Sequence, residues 1–335
     1  MGCDWCRFMD LKQELGKRKD FFDRELEKFL RKDEPEPLYN ATRHLPLAGG
    51  KRLRPVLSML SCEVVNGNIV DVIPLAIAIE LIHNFTLVHD DIMDNSKLRR
   101  NLPAVHVKFG EPTAILAGDL LFTKAFESMH NLQTDLSVFK NVEYGLIDCV
   151  REICEGQYLD VEFENYKIVS EERYINMILK KTAVLFMYAA EAGGLIGGAT
   201  REQANALSEY GKSLGLGFQI HDDYLDMSSV ESVLGKDIGN DIRNGKKTLI
   251  AVHALSHAMG SDKKLLQKTF GDRDASDKNV QEVYDLFKKL KSIDYARYKA
   301  EEYCNKAKNA LEILPDTDAK QVLLDLADYA ISREK

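Results

Sequence analysis

Tryptophan occurs once in this 335-residue chain, proline eight times and cysteine six times. So little proline excludes a collagen-like or Pro-rich chain and leaves room for long uninterrupted helices. Six scattered cysteines do not make a disulfide scaffold. Cys3 and Cys6 form a Cys-x-x-Cys with no second pair, where a zinc site needs four ligands. The opening Met-Gly-Cys has Cys6 at the position where a myristoylation signal requires Ser or Thr. The first twenty residues lack the apolar core of a signal peptide. No apolar run approaches the ~18 residues of a membrane span; the nearest, 182–198, carries Glu191 and four glycines. A basic excess is missing too: Lys+Arg 45 against Asp+Glu 53 gives a net charge of −8. That disfavours a sequence-independent nucleic-acid binder. The expectation is a soluble cytoplasmic protein with reduced thiols, no nucleic-acid partner and no integral membrane segment.

What is present is helical spacing. Val280, Val283, Leu286, Phe287 and Leu290 recur at three and four, and so do Tyr303, Ala307, Ala310, Leu311 and Leu314 before Pro315. Further helices are expected near 10–31, 56–65, 72–94, 113–130, 142–158, 172–192, 203–227, 247–258 and 317–332. Segments 72–82 and 182–190 are apolar around most of their circumference, as buried bundle helices are. Period-two alternation is scarce, and no linker of domain-boundary type follows Pro37. The reading is one large all-α domain over 1–335, with 1–9 as a poorly ordered N-terminus.

One hexapeptide recurs. Residues 89–94 read His-Asp-Asp-Ile-Met-Asp and residues 221–226 read His-Asp-Asp-Tyr-Leu-Asp, each after an apolar helical stretch. On a helix, residues four apart lie roughly 5–6 Å from each other, so Asp90 shares a face with Asp94, and Asp222 with Asp226. Like charges at that spacing repel, and Asp91 and Asp223 add to the repulsion. Apolar flanks raise the cost by drawing charge toward a low-dielectric interior. One such cluster is an ordinary solvated helix end; two, each led by His and an apolar helix, point to divalent cations. Hard oxygen donors without Cys suit Mg²⁺, with Mn²⁺ as a substitute. Mg²⁺ keeps part of its shell for water and substrate phosphate, so paired Asp clusters suit several ions on a diphosphate.

Cations answer the acids. Gly49-Gly50-Lys51-Arg52-Leu53-Arg54-Pro55 is a glycine turn opening a helix, the arrangement that aims backbone N–H groups and positive charge at an anion. Lys97-Leu98-Arg99-Arg100 follows the first Asp cluster. Lys180-Lys181-Thr182 lies in an apolar helix. A Gly-punctuated stretch, Gly235-Lys236-Asp237-Ile238-Gly239-Asn240-Asp241 to Gly245-Lys246-Lys247-Thr248, follows the second cluster. There Lys236 and Lys246 are expected to reach phosphate, and Asp237 and Asp241 to hold metal-bound water. The pattern is not a Walker P-loop, since GxxxxGK[ST] is absent.

These motifs, in this order and spacing over about residues 40–260, resemble the trans-isoprenyl diphosphate synthase family, with the short-chain archaeal-type geranylgeranyl and farnesyl diphosphate synthases the nearest kind. The resemblance implies an antiparallel helical barrel with a deep apolar cavity, usually a homodimer. It implies a Mg²⁺-dependent prenyltransferase that condenses isopentenyl diphosphate head-to-tail with dimethylallyl, geranyl or farnesyl diphosphate. Asp90 and Asp94 would hold Mg²⁺ with Asp91 supporting, and Asp222, beside Asp223, would hold a third ion. Gly50, Lys51, Arg54, His83 and Arg100 would bind isopentenyl diphosphate. Arg99, Lys181, Thr182, Gln219, Lys236 and Lys246 would bind the allylic diphosphate, with Lys247 as the alternative to Lys246. The Gln219 carbonyl, the Thr182 hydroxyl and the backbone near Lys181 would face the allylic cation. The resemblance also implies that the departing diphosphate would take the final proton, so no side chain is assigned as general base. The tail Ser332-Arg333-Glu334-Lys335 would close over the site.

Product length is expected at the residues five and four before Asp90. Phe85 with the small Thr86 resembles the geranylgeranyl pattern and a twenty-carbon product, with fifteen carbons as the alternative. An ideal helix places Thr86 about 40° around from Asp90 and Phe85 about 140°, so geometry alone favours Thr86 as the cavity-facing residue. Three rival readings exist: a di-iron bundle using Glu80-x-x-His83 and Glu127-x-x-His130, a class I terpene cyclase, and a non-catalytic synthase subunit. The first leaves the basic motifs unexplained. Gly49–Pro55 and the second Asp cluster oppose the next, and intact aspartates oppose the last.

Overall fold

A computed structural model describes the backbone of residues 4–228 and 241–332, and the side chains of residues 11–227 and 241–332. Lys236, Asp237, Cys3 and the tail from 333 lie outside the described residues, as does the Cys6 side chain. The chain is all-α. Helices α1 (Asp4–Phe29), α2 (Glu36–His44), α3 (Leu53–Glu63) and α4 (Ile73–Met93) come first, with a short 3₁₀ turn at Pro46–Ala48. A two-stranded hairpin, β1 (Leu98–Arg99) and β2 (Leu102–Pro103), precedes α5 (Val105–Phe109), α6 (Glu111–Met129) and α7 (Leu136–Glu164). Then come α8 (Glu171–Ile178), a π-helical turn at Leu179–Ala183, α9 (Val184–Ile196) and α10 (Arg201–Ser228). The last described helices are α11 (Leu249–His257), α12 (Gly260–Thr269), α13 (Asp277–Lys289), α14 (Ser292–Ala310) and α15 (Asp318–Ser332).

The helix ends follow local chemistry. Ser170, Thr248 and Ser276 cap α8, α11 and α13 by accepting the backbone N–H of Arg173, Ala251 and Asn279, each cap worth about 1 kcal/mol. Pro37 and Pro74 lie in the first turns of α2 and α4, where a missing N–H costs little. Thus α2 begins at Glu36, inside the Pro35–Pro37 stretch that separates it from α1. The hairpin turns through Arg100 and Asn101, both with positive φ (54° and 61°), as a two-residue turn matched to strand twist requires.

Contacts group the chain into two compact units. The first comprises the chain up to Ile147 with Tyr188–Ser208 and Leu311–Asp325; the second comprises Asp148–Met187, Glu209–Ala310 and the chain from Leu326. In the first, α4 packs between α3 and α6, burying Leu75, Ile79, Leu81 and Ile82 completely, roughly 1.5–3 kcal/mol for each such side chain. Gly118 lets α6 reach α4: a Cβ there would stand 2.3 Å from the His89 ring. In the second, Phe163, Tyr174, Ile220 and Phe287 share one core with α11 and α14.

The stretch expected as one helix over 172–192 is interrupted. Leu179–Ala183 forms the π turn, and α7 explains it. Lys180 is bound to Glu155, and the Lys181 ammonium lies 2.5 Å from Asp160. Gly156, between those two acids, admits the backbone of the turn: a Cβ on it would lie 2.2 Å from the Lys181 nitrogen.

Candidate active site

The first Asp cluster ends α4, in the first unit. Asp90 is partly exposed and Asp94 exposed, and the Asp94 N–H donates to the Asp90 carbonyl at 2.8 Å. Two carboxylates at the negative end of a helix dipole are electrostatically unfavourable and invite a cation. Asp91 is different. It is 1% exposed and its Oδ1 accepts both Nε (2.9 Å) and Nη2 (2.5 Å) of Arg99. Burial works against the charge of Arg99, but the Asp91 bond and the charges of Asp91, Asp90 and Asp94 outweigh it and raise its pKa. Arg99 therefore sits within the field of all three aspartates.

The glycine turn lies in the same unit. Gly49 and Gly50 have φ of 88° and 145°, and Arg52 caps α3 in the left-handed region (φ 51°). The Arg52 side chain is buried. It donates to Asp23 at 2.8 Å, to Glu80 at 2.5 Å and to the Pro46 carbonyl at 2.5 Å. Arg52 thus pins the turn, while Lys51 is exposed and Arg54 half-buried. Arg100 donates to the carbonyls of Leu45 (3.1 Å) and Gly49, and its guanidinium packs where a side chain on Gly50 would stand. Arg54 lies 3.3 Å from the His83 ring. Burial holds the His83 pKa well below 6.5, and Arg54, Arg100, Arg99 and Arg52 push the same way. So four of the expected five residues for isopentenyl diphosphate meet in two contacts, Arg54 with His83 and Arg100 with Gly50, in a field of arginines.

Phe85 points to α6. Its ring lies 4.9 Å from His89 and 5.5 Å from Phe122, and Phe122 continues to Phe126 at 5.2 Å. Thr86 turns its hydroxyl back to the His83 carbonyl at 2.8 Å. Phe122 and Phe126 are absent from the sequence reading; their i, i+4 spacing on α6 was the available signal.

The second unit holds the second cluster. Asp222 is partly exposed and Asp226 exposed, while Asp223 is buried. Asp223 accepts Tyr174 Oη at 2.7 Å and Gln219 Nε2 at 3.2 Å, and Gln219 Oε1 accepts the Thr182 hydroxyl at 3.0 Å. Burial pushes Asp223 up to about 6, with Asp222 adding, against Lys246, Tyr174 and Gln219. Lys246 loses some hydration, but Asp223, Asp241, Asp160 and Asp226 outweigh this and raise its pKa. Lys247 turns away: its ammonium donates to the Gly245 carbonyl at 2.7 Å and lies over the Phe270 ring. Of the two lysines, Lys246 accompanies the aspartates. Tyr174 is the member of this group that the sequence reading missed.

Among the described residues no three His, Cys, Asp or Glu side chains converge on one point. The di-iron alternative fails on its own residues. Glu80 is bound by Arg52 and Asn84, whereas Glu127 is exposed beside Lys124.

A helix ending in paired aspartates beside Arg99, and a second aspartate cluster with Lys246 nearby, suit the class of all-α enzymes acting on diphosphate esters. The comparisons give it a family. Residues 35–287 match the model of the polyprenyl synthetase family. The geranylgeranyl diphosphate synthase of Methanosarcina mazei is 45% identical over 327 residues, 97% of this chain and 99% of that one. The crystal structure of a geranylgeranyl pyrophosphate synthetase from Pyrococcus horikoshii is 43% identical, with a TM-score of 0.90 over 96% of this chain and 99% of that one. A polyprenyl synthase from Caulobacter crescentus, complexed with calcium and isoprenyl diphosphate, is 32% identical with a TM-score of 0.85 over 96% and 98%. The chain belongs to the polyprenyl synthetase family and is a prenyltransferase. No described helix is long and apolar enough to cross a membrane.

Proposed function

We propose that this prenyltransferase is a Mg²⁺-dependent geranylgeranyl diphosphate synthase. It extends dimethylallyl, geranyl and farnesyl diphosphates with isopentenyl diphosphate and releases diphosphate. The observation that carries this is the arrangement of α4: Asp90 and Asp94 at its exposed end, Thr86 one turn earlier, and Phe85 against Phe122. The name of the Methanosarcina relative supports the twenty-carbon product. We take the chain as one catalytic domain, since the family match spans both units.

In this reading Asp90, Asp94 and Asp222 hold Mg²⁺, with three ions at a full site. Bound Mg²⁺ supplies positive charge against the leaving diphosphate. Arg99, fixed by Asp91, and Lys181, fixed by Asp160, bind the allylic diphosphate together with Lys246 and Lys236. Fixed cations stabilise charge as it develops on the leaving group without reorganising. Thr182 and Gln219 present oxygens to the allylic carbon cation. Lys51, Arg54 and Arg100 bind isopentenyl diphosphate, beside a neutral His83 that donates or accepts without adding charge. The double bond of isopentenyl diphosphate then attacks, and a proton leaves to diphosphate.

We further propose a homodimer in the cytoplasm. Val107, Ile115, Leu116, Leu136, Tyr144 and Ile147 are large exposed apolar side chains on α5, α6 and α7, the kind of surface a second copy covers. Light scattering after size exclusion tests this, and a monomer at micromolar concentration would reject it. For the activity, labelled isopentenyl diphosphate with each allylic primer and chromatography of the products is decisive. A dominant twenty-carbon product is expected; a fifteen-carbon end product would select the farnesyl alternative.

A further inference from the structure

We propose that Tyr174 is a positioning residue for prenyl transfer: it anchors Asp223, whose carboxylate orients the Gln219 amide, so that the Thr182 hydroxyl proton points inward and Thr182 offers lone pairs, not an O–H, to the allylic cation. The inference rests on the reading of Thr182 and Gln219 as the groups that face that cation.

Four side chains form one hydrogen-bonded row within the second unit. Tyr174 Oη donates to Asp223 Oδ2 at 2.7 Å, Gln219 Nε2 donates to Asp223 Oδ1 at 3.2 Å, and Thr182 Oγ1 donates to Gln219 Oε1 at 3.0 Å. The row runs from the interior outward. Tyr174 is 1% exposed and Asp223 7%, whereas Gln219 and Thr182 are partly exposed.

The polarity of the row has a single solution. A carboxylate only accepts, so both neighbours of Asp223 must donate. This fixes the Gln219 amide, which the reverse orientation would set oxygen against oxygen. The Gln219 carbonyl therefore faces Thr182, and the single Thr182 proton is spent on it. What remains at the exposed end is the Thr182 oxygen with its lone pairs. Oxygen dipoles so oriented stabilise a carbocation, and an O–H turned toward it would oppose it. The arrangement also protects the cation. Capture by Thr182 would require its proton to pass to an amide oxygen, which is a poor base.

Burying the Tyr174 hydroxyl is costly unless it is bonded, and a phenylalanine would fill the same core. Tyr174 lies on α8, eight residues before Thr182, so the helix that carries the π turn also supplies the anchor.

The test uses the full-length enzyme with Mg²⁺ saturating and compares Tyr174→Phe, Thr182→Val and the double variant. Tyr174→Phe is expected to lower kcat about 10-fold or more with both KM values within about twofold. The double variant is expected to fall no more than about twofold below Thr182→Val, because both changes act through one group. Parental kcat in Tyr174→Phe, or losses that multiply in the double variant, would overturn the proposal while leaving Thr182 in place. Parental kcat in Thr182→Val would instead overturn the underlying reading of that residue. If Tyr174→Phe does not fold, the isosteric Asp223→Asn carries the same test. It should lose kcat non-additively with Thr182→Val while the Mg²⁺ concentration for half-maximal rate stays unchanged; a raised Mg²⁺ requirement would overturn the proposal.

Discussion

The buried carboxylate of Asp91 grips Arg99 through Nε at 2.9 Å and Nη2 at 2.5 Å, so the middle aspartate of the first cluster is spent on an arginine. An Arg–carboxylate pair of this kind fixes direction as well as charge. Asp91→Asn keeps the shape and loses the anchor. We expect it to raise KM for the allylic diphosphate about 10-fold or more, with KM for isopentenyl diphosphate changed much less. Equal changes in both constants in steady-state assays would separate Arg99 from the allylic substrate.

Asp90 and Asp222 are the partly exposed leading aspartates of their clusters. If they hold Mg²⁺ as proposed, replacing either by Ala removes a metal ligand at the leaving group, and a turnover loss of about 10²-fold or more is expected. The check is the rate at saturating Mg²⁺ and both substrates. A near-parental rate in one variant removes that aspartate from the metal site.

Gly156 offers a test of the π turn. A Cβ there would stand 2.2 Å from the Lys181 nitrogen and 2.7 Å from its Cα, both backbone atoms that yield only if the turn moves. Gly156→Ala should cost about 1–3 kcal/mol in thermal unfolding and lower kcat about 10-fold or more, because Lys181 and Thr182 shift together. Gly16→Ala is the control. Gly16 lies inside α1 with nothing within 4 Å of a new Cβ. It should gain about 0.5–1 kcal/mol of stability at unchanged activity.

His83 makes stability depend on pH. Its folded pKa lies well below 6.5, through burial first and then the surrounding arginines. Below about pH 6.5 the unfolded chain takes up a proton that the folded chain refuses, so stability falls as pH decreases, by up to ~1.4 kcal/mol per unit. His83→Gln should flatten this dependence between about pH 5 and 6.5 in denaturant titrations. An unchanged slope would mean that His83 is readily protonated in the fold.

Much of this was legible in the sequence because it was periodic or repeated. The apolar helices before Asp90 and Asp222, the glycine turn and the Lys-Thr pair carry their signals locally. Three features do not. Arg52 reads as one of three equivalent cations in Gly49–Pro55, but Asp23 and Glu80, far away in sequence, claim it. The interruption at Leu179–Ala183 depends on Gly156 in another helix, and propensity within 172–192 cannot report it. Tyr174 reads as one more apolar-face residue, since only its tertiary partner Asp223 distinguishes it from phenylalanine.

Product length is the sharpest remaining consequence of the fold. An α-helix rises 1.5 Å per residue, so Phe85 lies about 7.5 Å along α4 from Asp90. Its ring is partly buried, edge-on to His89 and tilted against Phe122. An aromatic side chain spans 150–250 Å² and blocks a channel only a few ångströms wide. Phe85→Ala should therefore release products longer than twenty carbons with Mg²⁺ dependence intact, and Phe122→Ala should do the same from the other helix. A ring in close-packed core costs about 3–5 kcal/mol on truncation. A ring lining open space costs less, because fewer contacts are lost. Chromatography of the products and thermal unfolding of the same two variants thus examine one claim. Longer products with a small stability loss are expected. Parental products with a loss of several kcal/mol would make both rings ordinary core, and Thr86, which lies closer around the helix to Asp90, would become the residue that limits chain length.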